Sequence, residues 1–186
     1  VTSKPWLKHY PPEVPPNVEY PDCLLQAFLE QAYERKPDQI AIRFLGKSMT
    51  YRQLYQDALA LANGLVRLGV KEGTRVALML PNCPQAVIGY YAILMAGGIV
   101  VQTNPLYVER ELLYQLQDSG AEFIIALDLV YPKLVNLFTK TRLKQIILTS
   151  IKDYLPFPKN LLYSIFHHKG ISKVHDSVPE RLLSFK

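Results

Sequence analysis

"LMAGGIVVQTNPLYVERELLYQLQDSGAEFII", residues 94–125, holds two glycines after a helix-like run, a short apolar segment, Asn104-Pro105, an acidic helix start and a second apolar segment. A phosphate cradle needs glycines after a strand and before a helix, where amide N–H groups point at the anion. Gly97 and Gly98 stand in the reverse context, after a helix and before a strand. They read as a helix C-terminus that turns tightly into a sheet. Neither GxGxxG nor GxxxxGK[ST] occurs in the chain. Asn104-Pro105 ends its strand, because proline removes a ladder donor and the Asn side chain bonds locally. Glu109 to Ser119 then reads as a helix with Leu112, Leu113 and Leu116 on one face. Gly120 ends it, and "AEFIIAL" is the next strand.

Upstream, Asp22 is placed to cap a helix carrying Leu24, Leu25, Phe28, Leu29 and Ala32 on one face, ended by Pro37. Ile40, Ile42 and Phe44 alternate, Gly46-Lys47 can turn, and Met49 and Tyr51 continue, which is a hairpin pattern. Thr50 suits the N-cap of a helix with Leu54, Ala58, Leu61, Leu65 and Leu68 at spacings of three or four, closed by Gly69. "TRVALML" is a strand, and Pro84 suits the first turn of the helix through "PQAVIGYYAILMAG". Downstream come a helix from Pro132 to Lys140, the strand "KQIILTS" and a short helix candidate at 159–167. From residue 51 onward, helices alternate with short strands that are apolar on both sides. Such strands are covered on both faces, so the expected fold class is α/β: a doubly wound, largely parallel sheet with helices above and below, plus a small β-hairpin.

The first 22 residues hold six prolines, so an extended arm is expected there, with Trp6 and Tyr10 as its anchors. The expected organisation is 1–22 as arm, 23–150 as the α/β unit and 151–186 as a basic segment leading into further polypeptide. Leu182, Leu183 and Phe185 close the sequence with nothing after them to cover them.

The chain has 186 residues, 49% apolar and 20% charged, with a net charge of +5, which is a globular rather than a disordered composition. Residues 131–186 hold 10 Lys/Arg against 3 Asp/Glu, so that end is basic, suited to an anionic surface or simply to a solvated face. No aromatic–basic repeat or zinc spacing supports nucleic-acid binding. The longest apolar run, 86–101, is interrupted by Gly97-Gly98 and is shorter than the roughly 20 residues of a membrane span. Cys23 and Cys83 form no disulfide framework, which suits a reduced cytoplasmic compartment.

Single residues have chemical readings beside structural ones. Cys83 precedes a helix whose start can lower a thiol pKa, but it also reads as a buried structural cysteine. Ser119 and Asp118 have no neighbouring His to make a nucleophile. His167, His168 and His175 lack a ligand set at helical spacing and read as solvated. "FPKNLLYSIFHHK" reads either as a segment lying on an anionic membrane or as one packing against further polypeptide.

Four stretches together carry a family resemblance: "MTYRQLYQDALALANGL", "GVKEGTRVALMLPNCPQAVIGYYAILMAGGIVVQTNPLYVERELLYQLQDSGAEFIIAL", "KPWLKHYPPEVPPNVEYPD" and "YLPFPKNLLYSIF". The first two resemble the N-terminal part of adenylate-forming acyl-CoA synthetases. The last two resemble bacterial long-chain fatty-acid–CoA ligases. The resemblance implies a ligase that converts fatty acid, ATP and CoA to acyl-CoA, AMP and pyrophosphate through an acyl-adenylate. It implies ATP, Mg2+ and CoA for the full-length enzyme. The family's Ser/Thr/Gly-rich loop ending in Pro-Lys-Gly and its C-terminal lid have no match here. No catalytic, cofactor or metal residue is therefore expected on this chain, and Gly97, Gly98, Asn104 and Pro105 are expected to be a structural motif. The implied partners are the rest of the same polypeptide and a long-chain fatty acid. A homodimer, and an anionic membrane met peripherally at its inner face, stay open. A stand-alone α/β interaction module and a membrane-surface adaptor are the rival readings.

Overall fold

The computed structural model describes residues 4–166 and 182–185. Its centre is a five-stranded, wholly parallel sheet. In chain order its strands are β3 (Arg75–Met79), β4 (Ile99–Gln102), β5 (Phe123–Leu127), β6 (Gln145–Thr149) and β7 (Leu182–Ser184), arranged β4-β3-β5-β6-β7. An antiparallel hairpin of β1 (Ile40–Phe44) and β2 (Lys47–Thr50) stands apart. The structure is thus the α/β class expected from the alternating pattern.

Every residue of β5 is buried. Its alternate side chains point to opposite faces, so two separate apolar layers are required. Phe123, Ile125 and Leu127 face α2 (Tyr51–Arg67) and α3 (Pro84–Met95), in a cluster with Leu65, Ala92 and Ile93. Ile124 and Ala126 face α4 (Glu109–Ser119) and α5 (Tyr131–Phe138), through Leu112, Leu116, Leu134 and Leu137. α1 (Leu25–Arg35) and the hairpin add an outer layer on the α2–α3 side, around Leu29, Met49, Leu54, Ala58 and Ile88. This explains why α3 is apolar all round: it lies between the sheet and other helices.

Several ends follow local chemistry. The Thr50 hydroxyl accepts from the Gln53 amide at 3.3 Å and the Gln53 side chain accepts from the Thr50 amide at 2.9 Å, a reciprocal capping box. α3 closes on Gly97, at φ +78°, with the Gly98 amide donating to Ile93 O and the Gly97 amide to Leu94 O. A Cβ on Gly97 would lie 3.2 Å from the Glu72 amide nitrogen.

Other expectations are corrected. α1 starts at Leu25 with no side-chain cap, so Asp22 does not cap it. Of its expected apolar face only Leu29 is buried; Leu24, Leu25 and Phe28 are exposed, because no element among the described residues lies over that part of the helix. The hairpin turns on Leu45-Gly46, not Gly46-Lys47, since Phe44 pairs with Lys47. Trp6 and Tyr10 stay 55% and 43% exposed. Leu183 and Phe185 are not uncovered: β7 pairs with β6, and both side chains pack against the core on the α2–α3 side. The pairing energy comes from a strand distant in sequence, which a three-residue pattern cannot announce. α6 (Lys159–Phe166) follows the expected range closely.

Two glycines should respond oppositely to alanine. Gly97→Ala places a side chain in the left-handed region and should lower unfolding free energy by about 1–2 kcal/mol. Gly64, inside α2 with open space around its Cα, should gain roughly 0.5–1 kcal/mol as Gly64→Ala. Urea denaturation of the two variants, followed by circular dichroism, checks both signs.

Candidate functional site

The strand order places β3 between β4 and β5. The chain leaves β3 for α3 on one face, and leaves β5 for α5 on the other. Loops parting to opposite faces open a crevice at the carboxyl edge of the sheet, the usual place for a ligand in this architecture. Four connections meet that edge: residues 80–83, 103–108, 128–130 and the turn that begins at Ser150.

Gln85, in the first turn of α3, crosses this edge. It is fully buried, and its amide nitrogen donates to Thr149 Oγ1 at 3.3 Å and to the Ser150 carbonyl at 2.9 Å. It thereby ties the end of β6 to the start of α3. Its own Oε1 and the Ser150 hydroxyl are buried without a partner, as are one Asp128 carboxylate oxygen and the Tyr131 hydroxyl. Buried polar atoms left unpaired are uncommon in a folded protein, and here three of them belong to residues that follow β5 and β6, Asp128, Tyr131 and Ser150, and the fourth to Gln85 of α3. Sequence reasoning passed over Gln85. The available signal was one polar residue opening a helix that is otherwise apolar all round.

Beside this bridge, Cys83 is buried, and burial pushes its thiol above the ordinary range, although the Ala86 and Gln85 amides act in the opposite direction. A thiol held protonated is not an activated nucleophile. Tyr154 is buried as well. Its hydroxyl donates to Asp57 at 3.4 Å, and burial first, then Asp57, drives its pKa up. Lys47 lies 5.4 Å from the centroid of the same ring and donates to the Asp153 carbonyl. These contacts fasten the hairpin to the turn after β6. A cleft of about 480 Å³ opens between hairpin and α3, lined by Ile42, Phe44, Cys83, Ala86, Val87 and Tyr90 among others.

The four expected motif residues divide between two edges. Gly97 and Gly98 precede β4 and lie at the amino edge, opposite the crevice. Asn104 and Pro105 follow β4 at the carboxyl edge. There Asn104 Oδ1 accepts from the Leu106 amide at 3.0 Å and the Asn104 carbonyl accepts from the Tyr107 amide, a local turn. Ser119 donates to the Gln115 carbonyl within its own helix. Cys23 is exposed. His167, His168 and His175 lie outside the described residues.

None of the loops 80–83, 103–108 and 128–130 contains a glycine, so none of them is a glycine-rich phosphate loop. At the helix starts, α3 opens with Pro84, α5 carries Pro132 in its first turn, and α4 opens with Glu109 and Glu111, the Glu111 carboxylate taking the Val108 amide. Among the described residues no group of three His, Cys, Asp or Glu is placed to hold a metal ion, and no helix is long and apolar enough to cross a membrane.

Replacing Gln85 by Leu strands the Ser150 carbonyl and the Thr149 hydroxyl. Gln85→Leu should lower stability by about 1–3 kcal/mol at unchanged denaturant slope, read from urea unfolding. In the native protein a thiol reagent should modify Cys23 readily and Cys83 only on unfolding, with mass spectrometry reporting the order.

Known proteins are similar to this chain in sequence and in fold. The long-chain-fatty-acid–CoA ligase of Bacillus subtilis (strain 168) is 51% identical over 174 residues, which is 94% of this chain and 30% of that protein. The chain thus spans under a third of the length of that relative. Two solved structures share the fold. The anthranilate CoA ligase AuaEII, in complex with anthranoyl-AMP, matches with TM-score 0.64 and 25% identity over 74% of this chain and 26% of that one. A long-chain-fatty-acid-CoA ligase from Archaeoglobus fulgidus matches with TM-score 0.66 and 24% identity over 75% of this chain and 31% of that one. The family model of AMP-binding enzymes matches residues 29–177, and with half of its sequence shared with a member, this chain belongs to the AMP-binding enzyme family.

Proposed function

We propose that this chain is the leading α/β section of a long-chain fatty-acid–CoA ligase, the enzyme that joins fatty acid to CoA at the expense of ATP through an acyl-adenylate. The observation that carries this reading is the 51% identity to the Bacillus ligase across 94% of the chain. ATP, Mg2+ and CoA belong to the whole enzyme. The helix starts at the crevice, stopped by prolines or occupied by glutamates, support a triphosphate grip on residues outside this chain, since such chemistry depends on donors and cations aimed at the phosphates. In this reading the chain supplies a rigid wall. Gln85 locks α3 to β6, and the apolar cleft between hairpin and α3 offers a surface suited to an aliphatic chain. The partners are the rest of the polypeptide and a long-chain fatty acid, and the setting is the reduced cytoplasm.

The test joins this chain to the part of the Bacillus ligase it does not cover. The chimera should release AMP in the presence of a long-chain fatty acid, ATP and CoA, and the 186-residue chain alone should not. A folded chimera that activates short or aromatic acids but no long-chain acid would reject the substrate assignment. AMP release by the chain alone would reject the division of labour.

A further inference from the structure

Three of the unpaired oxygens at the carboxyl edge lie on residues that the fold brings together. The Gln85 amide is oriented by its neighbour. The Ser150 carbonyl can only accept, so the group 2.9 Å from it is the Nε2 donor, and Oε1 is fixed on the other side. Leu127 of β5 stands in register with Thr149 of β6. The next residues, Asp128 and Ser150, therefore leave adjacent strands side by side, about 5 Å apart. Gln85 Oε1, Asp128 Oδ1 and Ser150 Oγ thus come from three segments, α3 and the exits of β5 and β6. None of the three has a hydrogen-bond partner among the described residues.

These oxygens are closed off by this chain's own residues, although Asp128 as a whole is only half-buried. Polypeptide packed on the outside of the sheet therefore cannot reach them, and their partner has to lie inside. Each orphaned polar atom held away from water weighs against the fold. Their chemistry is complementary: Gln85 Oε1 and the Asp128 carboxylate oxygen accept, and the Ser150 hydroxyl can donate. One donor and two acceptors are the counterpart of a single water molecule, which takes the one bond and gives the two. Internal waters make about three hydrogen bonds, to buried groups of this kind. Among the described residues no set of His, Cys, Asp or Glu is placed to hold a metal ion there. Tyr163 of α6 is pushed above its ordinary pKa by burial first and by Asp128 second, so α6 stands within electrostatic reach of the same end of the sheet.

We propose that one internal water is a built-in part of the carboxyl edge, accepting from the Ser150 hydroxyl and donating to Gln85 Oε1 and Asp128 Oδ1. It joins α3 to the exits of β5 and β6, where the direct Gln85 contacts reach β6 alone. This does not depend on the ligase reading, and its test contains no turnover. A crystal structure of the 186-residue chain should show one ordered water within hydrogen-bonding distance, roughly 2.6–3.2 Å, of all three oxygens. No water there, or a Ser150 hydroxyl bonded directly to the Gln85 or Asp128 oxygen, would overturn the proposal. In solution, the backbone amides of Asp128 and Ser150 should give cross-peaks to water of opposite sign in NOE and ROE spectra, the mark of a water held for longer than the protein takes to tumble. Ser150→Ala removes the one donor to the water and should weaken both peaks severalfold. Ser119→Ala, whose hydroxyl bonds within α4, should leave them unchanged. Peaks that persist at full strength in Ser150→Ala, or fall equally in Ser119→Ala, would also count against the water.

Discussion

Burial of β5 on both faces is the constraint from which the rest of the molecule follows. Five consecutive buried residues, Phe123–Leu127, cannot face water on either side, so each face needs its own helical layer. One face takes α2 and α3, the other α4 and α5. Parallel neighbours then require crossovers, and α3, α4 and α5 supply those that link β3, β4, β5 and β6. The outer layer of α1 and the hairpin is a secondary consequence: α3 is apolar on the side away from the sheet, and Leu29, Leu54, Ala58 and Ile88 close that side.

The two edges of the sheet do different work. At the amino edge, Gly97 and Gly98 let α3 reverse into β4 within hydrogen-bonding reach of the preceding loop, where the Gly73 amide donates to the Gly97 carbonyl. At the carboxyl edge the chain is held by polar contacts that reach across the sequence, above all Gln85 to Thr149 and Ser150. That edge has unpaired buried oxygens but no glycine loop and no open helix start. The chain spans 30% of its Bacillus relative.

Legibility differed by range. The capping box at Thr50 and Gln53, the left-handed Gly120 after α4, Pro84 in the first turn of α3 and the alternation of helix with apolar strand were readable, because each is settled by neighbours within about one helical turn. The role of Gln85 was not readable: its partners lie 64 and 65 residues away. Nor was the exposure of Leu24, Leu25 and Phe28. Helical spacing shows that residues share a face, and only the packing shows whether anything covers it.

By itself, then, the sequence determined the element types, most of their ends, the parallel sheet with helices on both faces, and the family. Those depend on periodicity, backbone propensity and local capping, which act over short stretches of chain. The tertiary structure alone decided the order β4-β3-β5-β6-β7, the recruitment of Leu182–Ser184 as the fifth strand, the bridge from α3 to β6 and the joining of the Leu45 turn to α6. These are contacts between segments far apart in sequence, and their free energy comes from burial and hydrogen bonds that exist only once the layers are assembled.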